Sequence, residues 1–524
     1  MVNVGFYGSH NGGIAVEKNG KITVVEFERL LNCKNVGLAQ YKIARYREQA
    51  MQTALLYLQN NLNVHFPVDV LVHSNSEVHH NGITTSYKDL FPARLQVRTW
   101  HHRAHAASSF YQSSFDNALI FSFDGGGDDG FFNVFLGNKQ DGLKHIGSHH
   151  VDMGFPYMVF AHYIDIIKFE WIGDGNLIYS GKLMGLCNYG KTRKEWEPHF
   201  REFYLSKPCG ETYEAKINKL GSKIGVVFDI ENRLKDSLAY DIAATSQQVF
   251  EDLFFEIAAP YLKDYSGTPV IIAGGCGLNI LLNQRVHDQL YPTPVFVAPN
   301  SNDCGIALGF LLDYLKPQQP VDITYAGPEV FDRNTLSDLV ESRWADKITP
   351  KQTAELFNTG KIIGVVQGGC EHGPRALGHR SIMCNPAYPH MKDTLNANVK
   401  NREWYRPFAP VVRLEDVSKY FEWEGECRHM LFCPKVKPEW QSKLSSITHV
   451  DGTARVQTIT RQQNEWLYDV LTELDKIADH GVLLNTSFNV AGKPILNTYR
   501  DALTVLDKTK LDMVILEDFL FKKS

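Results

Sequence analysis

The sequence predicts an α/β protein built from two modules. Three observations carry this reading. Short apolar runs of strand length, such as ALIFSF and KIIGVV, alternate with stretches whose apolar residues recur at helical spacing. Four glycine-rich turns follow predicted strands within the first 320 residues. The segment Lys316-Pro317-Gln318-Gln319-Pro320 then interrupts the pattern before it restarts, as a linker does. The expected modules are residues 1–320 and 321–524.

Composition narrows the class. The chain has 524 residues, 44% hydrophobic and 22% charged, with 54 Lys+Arg against 59 Asp+Glu and a net charge of −5. These are globular values and exclude disorder or a fibrous repeat. The charge is too small, and of the wrong sign, to coat nucleic acid nonspecifically. The nine cysteines are odd in number, widely spaced and without C-x-x-C. They read as reduced thiols in a cytoplasmic protein. The start, MVNVGFYGSHNGG, lacks the basic and apolar regions of a signal peptide. No apolar run approaches the roughly 20 residues of a membrane span, so no membrane partner is expected.

The elements follow in order. Residues 1–7 form a strand that breaks at Gly8-Ser9-His10-Asn11-Gly12-Gly13. A second strand runs into Asn19-Gly20, a strong two-residue hairpin signal, and a third leads out of it. Residues 41–61 carry helical spacing, and VDVLVHSN is a strand. HHRAHAASSFYQS reads as helix, ALIFSFD as strand, GGGDDG as turn and FFNVFLG as strand. Residues 238–263 form a long amphipathic helix. PVIIAGGCGLNILLNQRV and PVFVAPNSNDCGIALGFLLDYL each read as strand, turn, helix. Beyond the linker come two helical stretches and the strand KIIGVVQGG.

Two regions are chemically uneven. Nine of the 20 histidines lie between His73 and His150, and residues 361–406 hold seven Lys/Arg against three Asp/Glu. In the first region, His101 and His105 are four apart on a predicted helix, so both imidazoles share a face. Asp124 ends a strand and Asp303 precedes a helix. Two imidazoles and two carboxylates suit a first-row divalent ion. Each part also has a plain structural reading: a surface histidine pair, a hairpin turn, a helix N-cap.

The glycine turns offer backbone N–H groups at helix starts, where phosphate oxygens bind. GGCGLN, with Gly274, Gly275 and Asn279, is the chief candidate. No Walker P-loop occurs. Four such turns in one module point to a nucleotide cleft between two lobes of the actin/Hsp70 type. In the second region, Arg375, Arg380, Lys400, Arg402, Arg406 and Arg455 lie on short Gly/Pro-rich turns, with Asn485, Ser487 and Asn489 further on. Forked guanidinium groups with hydroxyl and amide donors suit a polyanionic phosphate ligand. The plain alternative is solvated arginines paired with Glu371 and Glu403.

Taken together, GSHN, HHRAHAAS, FDGGGDD, KLMGLCNYG, GGCGLN, NDCGIALG, EHGPRALGHRSI, REWYRPFAP, DGTARVQT and LNTSFN resemble the antibiotic and nodulation-factor O-carbamoyltransferase family over nearly the whole chain. The resemblance implies an N-terminal actin-like domain similar to threonylcarbamoyl transferases, with a metal site. It implies a C-terminal YrdC-like domain similar to threonylcarbamoyl-adenylate synthases. Carbamoyl phosphate and ATP, with Mg(2+), would give carbamoyl-adenylate there, and the front domain would pass the carbamoyl group to a hydroxyl. The adenylate hydrolyses readily, so it needs a path sheltered from bulk water.

Matched motif by motif, the family's metal ligands for Fe(2+) or a similar ion fall on His101, His105, Asp124 and Asp303. Its carbamoyl phosphate and ATP contacts fall on Arg375, Arg380, Lys400, Arg406, Arg455, Ser487 and Asn489, and its acceptor-side base on His10. One departure concerns that base: the family has an aspartate after this histidine, and here Asn11 follows it.

Family members modify antibiotic sugars, β-lactam precursors and nodulation oligosaccharides, and phage-type relatives modify hydroxymethylcytosine. A sugar, another small molecule, a nucleotide or DNA all stay open as acceptor, as does a homodimer. The segment KTRKEWEPHFREFY (191–204) reads either as a solvated helix or as a single-strand binder. A tRNA-modifying threonylcarbamoyl transferase and a non-catalytic nucleotide-binding protein are the alternative classes. EHGPRALG argues against the first, and the two complete polar sets argue against the second.

Overall fold

The computed structural model describes all residues except 39–43, 75–77, 81–82, 86–90, 169–174, 207–210 and 524. The chain forms two compact units, Met1–Ile323 and Thr324–Ser524, both mixed α/β.

The first unit begins with β1 (Val2–Tyr7), β2 (Gly13–Lys18) and β3 (Lys21–Glu26), an antiparallel meander. Asn19 and Gly20 both take positive φ, 55° and 79°, so Lys18 pairs directly with Lys21. That two-residue turn matches the strand twist, as Asn-Gly predicts. Helix α1 (Ala44–Leu62) follows; residues 41–43 of the expected helix lie outside the described residues. β4 (Val68–Ser74) comes next, then a small separate hairpin of β5 (Val78–His80) and β6 (Ile83–Thr85), then β7 (Ala93–Thr99). The sheet order is β3-β2-β1-β4-β7, with β1, β4 and β7 parallel.

The second half of this unit repeats the plan. After α2 (His101–Gln112) come β8 (Asn117–Gly127), β9 (Gly130–Asn138) and β10 (Gly142–His149), again an antiparallel meander. The long helix α3 (Asp236–Asp264), β11 (Val270–Ala273), α4 (Ile280–Leu290), β12 (Val295–Val297) and α5 (Ile306–Leu315) follow. The order β10-β9-β8-β11-β12, with β8, β11 and β12 parallel, matches the first sheet strand for strand.

The two sheets exchange helices. α2 leaves the first sheet and packs on the second, while α5 leaves the second and packs on the first. The helices also pack on each other so closely that a Cβ at Gly309 would lie 2.0 Å from the Ala104 carbonyl oxygen. A Cβ at Gly5 on β1 would meet the Ala307 oxygen at the same 2.0 Å, so only glycine fits either position.

One boundary differs from the sequence expectation. The turn predicted over GGGDDG is only Asp128-Asp129, and β8 continues through the three glycines with a register shift between Phe123 and Gly127. Glycine tolerates such an irregularity inside a strand.

The second unit is one eight-stranded sheet. In chain order its strands are β13 (Asp346–Lys347), β14 (Ile363–Val366), β15 (Arg380–Cys384), β16 (Ala409–Arg413), β17 (Gln457–Ile459), β18 (Val482–Ser487), β19 (Met513–Leu516) and β20 (Phe519–Lys522). Their spatial order is β13-β20-β19-β14-β15-β18-β16-β17. Helices α6 (Pro350–Asn358) and α7 (Glu465–Ile477) pair over one face. There Leu467, Val470, Leu471 and Leu474 meet Ile363, Val365, Met383 and Leu483, and all eight are fully buried. Thr349 and Gln352 form a capping box at the start of α6, and Asn464 caps α7. Helix α8 (Tyr499–Lys508) packs on β14 and β19.

The eight described cysteines are free thiols and seven are buried; Cys209 lies outside the described residues. Cys370, at 0% exposure, packs beside Gly327. No described helix is long and apolar enough to cross a membrane.

Candidate functional site

Two groups of polar side chains stand out, one in each unit. The first is built where α2 crosses the end of β8. His101 and His105 are buried on α2 and both turn Nε2 toward Asp124 Oδ2, at 3.1 and 3.0 Å. Their Nε2 atoms are 3.1 Å apart. Asp303 Oδ1 lies 3.9 Å from His101 Nε2 and 3.5 Å from His105 Nε2. One ligand atom from each of the four residues falls within 4.8 Å of all the others. The carboxylate of Asp303 caps no helix, so its plain reading as an N-cap fails.

The electrostatics follow from this crowding. Burial pulls the His101 imidazole down, but the Asp124 and Asp303 carboxylates outweigh it and hold it at about 10. Burial pushes Asp303 up, yet His10 and His101 bring it to about 2. Asp124 is likewise held well below the carboxylate range, its burial overcome by the surrounding imidazoles. Once the imidazoles are neutral, two Nε2 atoms and two buried carboxylates converge on one space, a donor set that fits a first-row divalent cation.

Several residues that sequence reasoning passed over build this site. The first turn of α2 starts at Trp100, which provides no side-chain cap. The Asp128 carboxylate accepts from the His101 amide at 2.8 Å, and Asp129 accepts from the His102 amide at 2.9 Å. His102 is fully buried. Its Nε2 is 3.1 Å from the Gly130 carbonyl and its Nδ1 3.0 Å from Ser122 Oγ. A carbonyl only accepts, so Nε2 carries the proton and Nδ1 accepts from the hydroxyl. His102 thereby ties α2 to the β8–β9 turn. A Cβ at Gly127 would strike the His101 ring at 2.5 Å.

Tyr7, also missed, donates its hydroxyl to Asp303 Oδ2 at 2.8 Å; burial and that carboxylate keep the phenol protonated. His10 is half-buried, with Nδ1 3.3 Å from the same oxygen. Asn11 takes φ 50° and turns its amide to Asn35 Oδ1. The carboxylate beside His10 is therefore Asp303, not a residue at position 11.

GGCGLN lies against this group. Gly274 takes φ 87°, and a Cβ there would lie 2.3 Å from the Phe123 oxygen. A Cβ at Gly275 would sit 3.5 Å from Asp124 Cβ. Asn279 also shapes the fold. Its side chain accepts from the Leu282 amide, capping α4, and pairs with Gln247.

The second group is in the second unit. Glu371 is fully buried. Its Oε1 accepts from the amides of Leu377, His379 and Arg380 and shapes the turn. Arg380 differs from the sequence expectation. Its guanidinium makes five hydrogen bonds, to Gln367 O, Gly368 O, His379 O and twice to Asn497 Oδ1, which accounts for all five N–H groups. Arg380 is a loop clamp, with no N–H left to hold a phosphate.

Arg375 and Arg455 behave differently. The Nε of each is buried and makes no hydrogen bond among the described residues. Burial and Arg406 bring Arg375 down to about 10. Burial, Arg375 and Arg406 pull Arg455 well below its usual range, and burial with Arg406 and Arg455 does the same to Arg402. Four guanidinium groups therefore repel one another across a shared space. An acid beside them, Glu403, is 3.7 Å from Arg406. Arg402, one of the cations of the NVKNREWYRPFAP stretch, is fixed by Asn396 Oδ1 at 2.6 Å and stacks over Phe408. Lys400 joins Ser487 and Asn489, donating to the Ser487 carbonyl at 2.6 Å and to the Asn489 carbonyl at 2.9 Å.

In the segment 191–204 a helix begins only at Glu197, and residues 191–195 are exposed. Phe200, Phe203 and Tyr204 are buried, Arg193 pairs with Asp241 and Arg201 with Glu256.

Family models match both units: "Carbamoyltransferase N-terminus" over residues 38–312 and "Carbamoyltransferase C-terminus" over 354–523. The chain belongs to the carbamoyltransferase family and is a transferase. It is 32% identical to "Nodulation protein NolO" of Bradyrhizobium diazoefficiens, over 81% of this chain and 78% of that one. It is 36% identical to "3'-hydroxymethylcephem-O-carbamoyltransferase" of Streptomyces clavuligerus, over 54% of this chain and 53% of that one. Among solved structures, full-length HypF in a phosphate- and nucleotide-bound form aligns over 60% of this chain and 55% of that chain, at 15% identity and TM-score 0.36. A score that low carries no argument about the site.

Proposed function

We propose that the protein is an ATP-dependent O-carbamoyltransferase that works in two steps. The matched strand order and sense of its two five-stranded sheets supports reading the first unit as an actin/Hsp70-like domain. The second unit is read as a YrdC-like synthase domain.

In the first step, water releases phosphate from carbamoyl phosphate. The carbamate oxygen then attacks the α-phosphorus of ATP, and pyrophosphate leaves. Arg375, Arg406 and Arg455 hold the phosphoryl oxygens, with Arg402 adding charge from a fixed position. Lys400 orders the Ser487–Asn489 loop beside the reactants. The observation that carries this step is the set of mutually repelling, half-buried guanidinium groups, with the buried Nε of Arg375 and of Arg455 making no hydrogen bond among the described residues. Such a cluster is relieved by a polyanion.

In the second step, the carbamoyl group leaves AMP for a hydroxyl of the acceptor, a sugar or other small molecule. His10 takes the hydroxyl proton and Asp303 orients its ring. Gly274 and Gly275 let the loop backbone approach the adenylate phosphate. His101, His105, Asp124 and Asp303 would hold a divalent cation, Fe(2+) or a similar ion, which supplies Lewis-acid polarisation of the carbamoyl or phosphate oxygen.

The test is incubation of the purified protein with carbamoyl phosphate, ATP and Mg(2+). Pyrophosphate is expected to appear only when both substrates are present. A panel of hydroxyl acceptors, hydroxymethylated DNA among them, is then screened by mass spectrometry for the gain of one carbamoyl group. Failure to release pyrophosphate would overturn the synthase step.

A further inference from the structure

Asp303 uses its two oxygens on different neighbours. Oδ1 faces the imidazoles of His101 and His105, at 3.9 and 3.5 Å. Oδ2 accepts from the Tyr7 hydroxyl at 2.8 Å and lies 3.3 Å from His10 Nδ1. A carboxylate is free to rotate about χ2, a broad torsion, unless something outside holds it. Here the holding groups come from the far end of the chain. Tyr7 ends β1, and Asp303 begins the turn leading into α5, 296 residues later.

The Tyr7 ring is itself fixed. It is 5% exposed and makes edge contacts with the His101 ring at 6.1 Å and the Phe310 ring at 6.2 Å. Phe310 lies on α5, so Tyr7 touches the histidine helix, the helix after Asp303 and Asp303 itself. His10 is partly open to solvent and on a loop, which makes it the weaker anchor of the two.

We propose that Tyr7 is a positioning residue for the cation site: its hydroxyl pins Asp303 Oδ2 and so presents Oδ1 to the space shared with His101, His105 and Asp124. This rests on the proposal that these four residues hold a divalent cation. Partners that orient a ligand from outside the coordination shell typically set affinity by about 10- to 100-fold.

The experiment is titration of the full-length, metal-stripped protein with Co(2+), followed by its visible absorption bands. The variants are Tyr7→Phe, Asp303→Asn and the double variant. Tyr7→Phe keeps the ring and removes only the hydroxyl. It is expected to bind Co(2+) about 10- to 100-fold more weakly, with altered band positions. In the Asp303→Asn background the same change is expected to have little further effect, because Tyr7 acts through that carboxylate. Unfolding midpoints of the stripped proteins establish that each variant is folded. Wild-type affinity and bands in Tyr7→Phe would overturn the inference, as would an equal loss with and without Asp303. If the wild-type protein fails to bind Co(2+), the cation site itself falls; if it binds and Tyr7→Phe binds equally, only the role of Tyr7 falls.

Discussion

At the scale of single residues, Arg380 and Arg375 show how one residue type serves two ends within one glycine-rich stretch. Arg380 is fully buried and its donors cross-link Gln367, Gly368, His379 and Asn497. Arg380→Ala strands those acceptors in the interior, at about 1–3 kcal/mol for each one left unsatisfied. The expected loss is at least about 3 kcal/mol, measured by urea unfolding. Arg375→Ala removes a cation whose Nε has no partner and which Arg406 and Arg455 repel. Its stability is expected to stay within about 1 kcal/mol of wild type, while pyrophosphate release is lost. A large destabilisation by Arg375→Ala with activity retained would reverse the assignment. The sequence could not separate the two. Both arginines belong to the one stretch GGCEHGPRALGHRSI, and the oxygens that occupy Arg380 come from Gln367, Gly368 and His379 and from the side chain of residue 497.

At the scale of elements, local patterns were the most legible part of the chain. Asn19-Gly20 gave its hairpin because both residues tolerate positive φ, and the long helix Asp236–Asp264 followed its apolar period. The departure at GGGDDG has a physical cause. Glycine marks turns through its backbone freedom, but β8 uses that freedom to stay paired across a register shift and to clear the His101 ring. The two aspartates then reach back to the first turn of α2, which has no cap of its own. Asp129→Ala is expected to destabilise the protein by about 1–2 kcal/mol, as cap removal does. Because α2 carries His101 and His105, the same variant is expected to weaken Co(2+) binding. Thermal unfolding and the Co(2+) titration check both, and unchanged values would show that α2 is held by packing alone.

At the scale of the whole molecule, the matched sheets and the single eight-stranded sheet give two units with different chemistry. Imidazoles and carboxylates gather in one, guanidinium groups in the other. If adenylate synthesis belongs to the second unit and transfer to the first, the two steps can be broken independently. His101→Ala is expected to keep pyrophosphate release within about twofold of wild type and to lower transfer to the acceptor by about 10²-fold or more. Quenched-flow assays of pyrophosphate and of carbamoylated product read the steps separately. Equal loss of both would contradict the division.

The sequence by itself determined the α/β class, most element positions, the i, i+4 histidine pair and the presence of an arginine-rich turn region, because these depend on periodicity and on neighbours within a few residues. Only the tertiary structure decided which polar groups act together. Asp303 meets Tyr7 across 296 residues, and Asp129 meets His102 across 27. Arg380 is claimed by Asn497 while Arg375 is left facing other cations. Hydrogen bonding and charge depend on distances of a few ångströms in space, and a linear pattern fixes those only where the chain has no freedom to turn.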